Sequence, residues 1–405
     1  MASKKISRTL MLISIYRNIT LLAICQALHI CVTALVVTAT PLTGYALLGV
    51  DKTLATLPFM AYYFGIMAFS VPASLLMARI GRRAGFSLGS LIGAAAGGIS
   101  TAAVFRQDFL LLCVGLILIG CAASFATYYR FAAADAVNDI SRPKSISLVL
   151  AGGVIAGLVG PQTAKYTVDW FAPIMFAGIY FMIVIYNLIS LLVIQGLKIP
   201  HLTKQERLSG GRPMRIIMCK PKYITAILSS TISYGAMALI MSGTPLAMFA
   251  CGFDFDSSTT VTQAHVIGMF IPSFLTGHLI VRFGSFRIII IGAFTIGVCA
   301  LTNASGINFM NFFISNTLVG VGWNFMYIGG SSLLTETYEP SERAKVQASH
   351  DFIVFFVTVI LAGLSGLLQA YIGWIILNLI ILIIAIIFVL FLFYLDHTKE
   401  RNIGV

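Results

Sequence analysis

The sequence is poor in charged residues. Asp, Glu, Lys and Arg make up 10% of its 405 residues, whereas 59% are hydrophobic. A soluble domain usually carries about 25% charged residues, so most of this surface cannot face water. Acidic residues are the scarcer class, with 14 Asp and Glu against 26 Lys and Arg.

Motifs of several function classes are missing as well. No phosphate-binding loop G-x-x-x-x-G-K-[ST] occurs, so ATP-driven transport by this chain has no support. The sequence has no HExxH motif, no GxSxG motif and no dense His/Asp group, so we expect no enzyme activity and no catalytic residues. The seven cysteines are scattered without a CxxC pair, which indicates neither a disulfide framework nor a metal site, and we expect no cofactor.

What the sequence has instead is a series of apolar runs of about 20 residues, the length of helix that crosses a bilayer core. In lipid, backbone groups must be satisfied within the segment, and helices achieve this. We therefore predict an all-α integral membrane protein with twelve transmembrane helices. The predicted spans are 18–42, 55–79, 85–105, 109–134, 146–168, 171–196, 223–247, 261–282, 287–304, 308–334, 346–370 and 373–395.

Lysine and arginine orient these spans, because cytoplasmic loops retain positive charge. With the N-terminus inside, the outer side holds only Lys52, Arg106 and Lys165, and Arg130 lies within a span. Every other lysine and arginine falls on the cytoplasmic side. We expect a multi-pass protein of the cell membrane, the inner membrane in a bacterium, with both termini cytoplasmic. This topology explains the net charge of +12, so no nucleic-acid partner is expected.

The chain repeats itself at about half its length, as many transporters do. Three matches keep an offset of 203 or 204 residues: Thr40-Pro41-Leu42 with Thr244-Pro245-Leu246, Gly65 with Gly268, and Arg79-x-Gly81 with Arg282-x-Gly284. The repeat predicts two pseudo-symmetric six-helix bundles, 1–196 and 223–405. A basic cytoplasmic central loop, 197–222, would separate them.

The segment after the second span resembles the signature of the major facilitator superfamily, G-x-L-x-D-[RK]-x-G-R-[RK]. Residues 74–83 keep most of it, but Ser74 replaces the first glycine and Ala78 replaces the aspartate. The second-half copy, 277–286, also lacks the acid. The segment 152–161 resembles the Gly-Pro signature of antiporters in this superfamily. The resemblance implies two bundles that alternate access to a central site, in a protein that works as a monomer.

The resemblance also implies a cytoplasmic gate in which Arg82 pairs with Asp135. His350 and Asp351, at the start of the eleventh span, could form a proton or gate site, or lie at a wet interface. The residues expected to take part in gating are Arg79, Gly81, Arg82, Arg83, Asp135, Gly160, Pro161, Arg282, Gly284, His350 and Asp351.

Polar groups inside the spans supply candidates for solute binding or coupling. Helices one, four, seven and ten line the central cavity in the superfamily. Arg130 could bind an anionic solute group or pair with Asp135 or Asp351, although a five-residue spacing makes a pair with Asp135 awkward. His29 could carry a proton or simply be hydrogen-bonded. The candidates are Gln26, His29, Thr33, Ser124, Tyr128, Arg130, Tyr234, Trp323, Asn324 and Tyr327.

Secondary active transport is the function that these features predict. The transported molecule would be a small organic solute, and protons would be the coupling ion. Export by antiport is preferred because of the Gly-Pro segment. Proton-coupled uptake of a nutrient or vitamin-like molecule is the alternative, and a non-transporting membrane sensor is a third hypothesis. The expected partners are therefore the solute, protons and the lipid bilayer.

Overall fold

The computed structural model describes residues 2–48, 54–199 and 211–403, and the regular secondary structure of these residues is helical. Residues 200–210 of the predicted central loop, with Lys204 and Arg207, lie outside the described residues, as does Lys52. The α-helices are α1 (Ala2–Leu47), α2 (Leu57–Ile80), α3 (Arg82–Phe105), α4 (Phe109–Ala126), α5 (Tyr129–Asp135), α6 (Arg142–Ala151), α7 (Gly153–Thr167), α8 (Ala177–Ile194), α9 (Met214–Met218), α10 (Pro221–Ala250), α11 (Phe255–Phe270), α12 (Ser273–Phe283), α13 (Ser285–Ala304), α14 (Phe309–Thr335) and α15 (Arg343–Ile403).

Each predicted span has a helical counterpart among the described residues. Among the described residues, eleven stretches are long and apolar enough to cross a membrane, and the last two of them, Arg343–Ser365 and Tyr371–Leu395, lie within α15. The predicted tenth span, 308–334, corresponds to α14, which is not among the eleven. It is 27 residues long but carries Asn311, Asn316 and Asn324, which lower its average hydropathy.

Three spans that the sequence presents as continuous are divided into two helices. The fourth breaks at 127–128, between α4 and α5, and the fifth breaks at Gly152, between α6 and α7. The eighth breaks at 271–272, where Pro272 lacks the N–H that a continuing helix would use. The break in the fourth span matters most for function, because it places Arg130 in the first turn of α5.

Helix starts are set by short polar side chains that accept hydrogen bonds from the first turn. Asp108 accepts from the backbone N–H of Leu111 at the start of α4. Asp254 does the same for Ser257 at the start of α11, and the hydrogen bonds from the side chain and backbone of Ser257 lower the pKa of this exposed carboxyl. Asn308 begins α14 with a reciprocal capping box.

The described residues fall into two compact units. Unit 1 comprises Met1–Gly211 and Pro340–Phe352, and unit 2 comprises Arg212–Glu339 and Ile353–Val405. In unit 1, α3 and α4 pack together, α2 packs on α4, α8 packs on α3, and α1 packs on α7 and α8. In unit 2, α14 is the central helix and packs on α10, α11 and α13. The first residues of α15 therefore group with unit 1, although they follow the repeat boundary in the sequence.

Close approach of α2 and α4 in unit 1 requires glycine at the crossing. A Cβ atom on Gly65 would collide with the carbonyl oxygen of Ile117, and one on Gly120 would collide with the carbonyl oxygen of Tyr62. Only a residue without a side chain fits at either position. The two backbones can then touch, as small residues allow in membrane helices.

The same crossing recurs in unit 2, between α11 and α14. A Cβ atom on Gly268 would press on the carbonyl oxygen of Thr317, and one on Gly320 would press on that of His265. Gly268 is the residue that the internal repeat matches to Gly65. The repeat in the sequence is therefore also a repeat in helix packing.

Candidate functional site

A buried ion pair joins α5 to the start of α15 inside unit 1. One Nη atom of Arg130 lies 2.7 Å from Oδ1 of Asp351, and the two side chains are 2% and 1% exposed. The other Nη of Arg130 donates to the carbonyl oxygen of Thr127 at 2.6 Å. Of the partners that the sequence left open for Arg130, the structure brings Asp351 to it. Two charges removed from water depend on each other, because either one alone would be buried without compensation.

His350 extends this ion pair, and we call Arg130, His350 and Asp351 the Asp351 triad. The Nδ1 atom of His350 lies 2.8 Å from Oδ1 of Asp351, and its side chain is completely buried. Both neighbours therefore meet the same carboxylate oxygen. The other oxygen, Oδ2, is buried and has no hydrogen-bond partner among the described residues. A proton could bind at Oδ2 without displacing either neighbour.

A second polar cluster, the Asp135 network, consists of Arg82, Asp135, Arg343 and Gln347. Arg82 lies 2.7 Å from Oδ2 of Asp135, so the predicted pair is present. Arg343 approaches the same oxygen at 3.3 Å, and Arg82 also donates to Gln347 at 3.1 Å. One carboxylate thus holds two guanidinium groups, one from α3 and one from the first residue of α15.

The two departures from the superfamily signature lie beside this network. Ser74 stands in place of the glycine and donates to the carbonyl oxygen of Ala344 at 2.9 Å. Ala78, in place of the aspartate, lines a small cavity together with Ser74, Arg82 and Arg343. The missing acid leaves Asp135 as the carboxylate that pairs with both arginines in this part of unit 1.

The remaining residues of the expected gate are spread over both units. Arg83 donates to Gln195 at 3.0 Å, and Arg79 is exposed at the end of α2. Gly81 and Gly284 end α2 and α12 with φ of 88° and 86°, a backbone conformation that other residues rarely adopt. Arg282 lies 5.2 Å above the ring of its neighbour Phe283.

The Gly-Pro segment, which includes Gly160 and Pro161, packs within unit 1. A Cβ atom on Gly160 would meet Ala34 and Cys31 of α1, and one on Gly152 would meet the carbonyl oxygen of Ala23. Pro161 is buried inside α7. Close packing on α1 therefore accounts for glycine at 152 and 160.

The polar stripe of α1 points into unit 1. Thr33 is 3.1 Å from the hydroxyl of Tyr62 on α2, and Gln26 is buried. His29 lines an internal cavity whose other walls include Asn187 of α8. The stripe that the sequence assigned to solute binding or coupling thus contacts other helices of its own unit.

Two candidates on α4 and its break are fully buried. The hydroxyl of Tyr128 donates to the carbonyl oxygen of Ser70 at 2.9 Å. Ser124 donates to the carbonyl oxygen of Cys121 in its own helix at 2.7 Å. Arg82 of the Asp135 network lies 5.9 Å from the ring centroid of Tyr128, so this ring is close to that network.

Unit 2 holds a cluster of five rings, which we call the aromatic cluster: Trp323, Tyr327 and Phe355 around Tyr234, and Phe270 beside Trp323. The ring centroid of Tyr234 is 5.4 Å from Trp323, 4.9 Å from Tyr327 and 5.2 Å from Phe355. Trp323 and Tyr327, one turn apart on α14, are stacked at 4.7 Å. Tyr234 is the half-buried member of the cluster, and the other four are buried. The structure therefore brings together three of the predicted solute-binding residues.

Asn324, also predicted to bind solute, is engaged inside unit 2. Its amide nitrogen donates to the carbonyl oxygen of Met269 and to Ser273, each at 2.6 Å. Its amide oxygen accepts from Thr276 at 2.6 Å. These bonds tie α14 to the break between α11 and α12, so the geometry of Asn324 is that of a structural residue.

Four members of these clusters were missed as site residues by sequence reasoning: Arg343, Gln347, Phe270 and Phe355. Arg343 counted only as a cytoplasmic positive charge, yet it binds Asp135. Phe355 lies in an apolar run with nothing to distinguish it, and only the fold brings it to Tyr234.

Among the residues that the structure describes, no group of three or more His, Cys, Asp or Glu side chains is placed to hold a metal ion. The clusters described above offer a buried acid, a buried imidazole and guanidinium groups in unit 1, and aromatic rings in unit 2.

The sequence profile of the Major Facilitator Superfamily matches residues 22–305 and 226–404. The chain belongs to this superfamily. It is accordingly a multi-pass membrane transporter and not an enzyme. Two solved structures show the same fold. The MFS transporter FucP in the outward conformation aligns with a TM-score of 0.70 and 18% identity, over 92% of this chain and 98% of that one. The human organic anion transporter MFSD10 aligns with a TM-score of 0.73 and 12% identity, over 93% of this chain and 99% of that one.

Curated relatives within the superfamily are similar over most of their length. The riboflavin transporter RfnT of Brucella anthropi is 35% identical over 364 residues, which are 89% of this chain and 91% of that protein. The uncharacterized MFS-type transporter YdeG of Bacillus subtilis is 26% identical over 362 residues, 85% of this chain and 84% of that protein.

Proposed function

We propose that this transporter takes up riboflavin, or a closely similar planar heterocycle, together with protons. The observation that carries the proposal is the 35% identity with a riboflavin transporter along nearly the whole length of both chains. The aromatic cluster of unit 2 supports it, because stacked rings suit a flat solute.

The solute need not be acidic. Arg130 was the side chain that would have favoured an anionic solute, and its charge is matched by Asp351 at 2.7 Å. A neutral vitamin of the riboflavin type is therefore compatible with the buried charges of unit 1.

Proton coupling is assigned to the Asp351 triad. A proton bound at Oδ2 of Asp351 would neutralise the carboxylate and remove the Coulombic attraction of Arg130. Arg130 would then hold Asp351 only by a hydrogen bond to a neutral acid, while Asp135 would still hold Arg343. Protonation would thus weaken the attachment of the segment 343–351 to α5, and His350 would be the neighbour that exchanges the proton.

Gating is assigned to the Asp135 network, with Arg82 and Arg343 sharing one carboxylate. We propose that these contacts hold the start of α15 in one state of the transport cycle and break in another. We also propose that the loop 197–222 divides the chain into two six-helix bundles. The protein would lie in the cell membrane with both termini in the cytoplasm, and it would work as a monomer.

Import by symport replaces export by antiport as the preferred direction. The preference for export came from the Gly-Pro segment, and Gly152 and Gly160 of that segment are accounted for by packing on α1. A vitamin-transporting relative favours the alternative that the sequence left open, uptake of a vitamin-like molecule.

Counterflow of radiolabelled riboflavin tests solute recognition without any ion gradient. Proteoliposomes loaded with unlabelled riboflavin should transiently accumulate the labelled compound above its external concentration. Liposomes loaded with unlabelled fucose serve as the control and should not accumulate it. If labelled riboflavin equilibrates no faster than in protein-free liposomes, the proposed solute is wrong.

A further inference from the structure

Several buried polar atoms near the aromatic cluster have no hydrogen-bond partner among the described residues. They are Nε1 of Trp323, Oγ of Ser331 and Oγ1 of Thr231. Trp323 and Ser331 are eight residues apart on α14, two helical turns, so they lie on the same side of the helix as Tyr327. Thr231 precedes Tyr234 by one turn on α10.

Such atoms are exceptions that require an explanation, because buried polar groups are nearly always hydrogen-bonded. Serine and threonine hydroxyls in helices usually donate to a carbonyl three or four residues earlier. On α14 itself, Ser315 and Thr335 do so, at 3.1 Å and 2.6 Å. Ser331 does not. The Ser331 hydroxyl therefore departs from the pattern of these other hydroxyls of its helix.

Trp374 provides an internal comparison. Its Nε1 is also buried without a partner among the described residues. Its closest described ring is Phe312, at 5.8 Å and tilted by 49°. Trp323, in contrast, has Phe270, Tyr234 and Tyr327 within 6 Å of its centroid. Trp323 thus has an unpaired N–H donor and is also packed against three aromatic rings.

The chemistry of this group of side chains selects a class of ligand. Its members are aromatic or carry a hydroxyl, and none is charged, which favours a neutral ligand. Aromatic faces and edges favour a flat ring system. An indole N–H can only donate, so it requires an acceptor such as a ring carbonyl or imine nitrogen. A hydroxyl can donate or accept.

We infer that the aromatic cluster binds the fused ring system of the transported heterocycle. Trp323 Nε1 donates to an acceptor on the edge of the ring system, and Ser331 pairs with a second polar atom. Tyr234, the half-buried member, covers the site and packs on the bound ring. The inference rests on the proposed function, because it assigns one part of a riboflavin-like solute to named atoms of unit 2.

The test is a riboflavin titration of the purified full-length chain in detergent, followed by quenching of flavin fluorescence. Trp323→Phe keeps a ring but removes the N–H, and we expect about a tenfold weaker affinity, the usual effect of one buried hydrogen bond. Trp374→Phe removes the other unpaired indole N–H and should change the affinity less than about twofold. Lumichrome, the bare ring system, should compete with riboflavin, and ribitol should not.

The outcomes separate this inference from the proposed function. If the wild type binds riboflavin and Trp323→Phe and Trp374→Phe bind it equally well, the ring site is wrong and the proposed solute stands. If ribitol competes and lumichrome does not, the ring site is also wrong. If binding depends on Trp323 but riboflavin counterflow fails, the site is right and the proposed transport is wrong. If the wild type binds no riboflavin, both are overturned.

Discussion

A guanidinium group survives away from water only when its charge is compensated, and Arg130 meets this condition through Asp351. The cost of removing both charges from water is several kcal/mol per ion, so the pair is not a source of great stability by itself. Its importance lies in mutual dependence. If Asp351 loses its charge, burial of the Arg130 guanidinium becomes less favourable, and this destabilises the buried placement of α5, which carries Arg130.

Arg130→Ala would leave the Asp351 carboxylate buried without its cation. We expect the free energy of unfolding in detergent to fall by about 3–5 kcal/mol. Arg142→Ala is the matched control, because Arg142 pairs with Asp139 at 3.0 Å where the Asp139 side chain is 85% exposed. That exposed pair should contribute about 0–1 kcal/mol. The measurement is chemical unfolding. If both variants lose the same free energy of unfolding, the buried pair contributes no more to stability than the exposed pair does.

Contacts of individual residues were predictable where the resemblance to the superfamily implied the partner. The Arg82–Asp135 pair was predicted and is present at 2.7 Å. The partner of Arg130 was not decided by the sequence, because Asp351 lies 221 residues further along the chain and helix geometry could only disfavour Asp135. Asn324 looked like a solute ligand, yet it binds three groups inside its own unit. Hydropathy identifies a polar residue in a span but not the direction in which it points.

Helices were predicted well in position and less well in continuity. Apolar run length fixes where a span lies, since the bilayer sets the length that is needed. The breaks at 127–128 and Gly152 leave no trace in the apolar pattern, because a helix can be interrupted without adding a charged residue. Pro272 marked the third break, although proline also occurs inside continuous α1 and α2.

Helix crossing in unit 1 depends on the absence of a side chain at Gly65. Gly65→Ala would force α2 away from the Ile117 carbonyl of α4, and we expect a loss of about 1–3 kcal/mol, typical of overpacking. Gly98→Ala on α3 is the control, because a Cβ atom there meets nothing within 4 Å. An alanine at that helical position should stabilise by about 0.5–1 kcal/mol. Thermal unfolding of both variants gives the comparison. If Gly98→Ala is less stable than Gly65→Ala, this description of the crossing is wrong.

The turns at Gly81 and Gly284 are equivalent positions of the repeat. Both have φ near +87° and ψ above 150°, a region that is almost exclusive to glycine. We expect Gly81→Ala and Gly284→Ala to lower stability by similar amounts, about 1–3 kcal/mol each. Unfolding of the two single variants and the wild type gives the comparison. A loss at one position and none at the other would mean that the repeat does not extend to the energetics of these turns.

The chain as a whole was predictable as a membrane transporter of two related halves. Composition, run length and the repeat indicated a membrane protein of two related halves, and the resemblance to the superfamily added transport, with which the superfamily match agrees. The solute was not predictable, because aromatic and hydroxyl side chains recur throughout such spans. What directs attention to the aromatic cluster is the set of rings that fold around Tyr234, together with the unpaired Nε1 of Trp323.

Orientation in the membrane can be tested with the chain's own exposed cysteines. Cys219 precedes α10 on the predicted cytoplasmic side, and Cys251 follows α10 on the predicted outer side. A membrane-impermeant maleimide added to intact cells should label the wild type and Cys219→Ser, but not Cys251→Ser. Labelling that depends on Cys219 instead would reverse the orientation inferred from the positive charges.

The central claim is that protons enter with riboflavin and that Asp351 carries them. Riboflavin should be added outside proteoliposomes that contain a pH-sensitive dye, with no gradient imposed. The account predicts acidification of the interior at a rate that follows riboflavin entry, and Asp351→Asn should abolish the acidification while riboflavin counterflow persists. Riboflavin entry with no change in internal pH, or with alkalinisation, would contradict it.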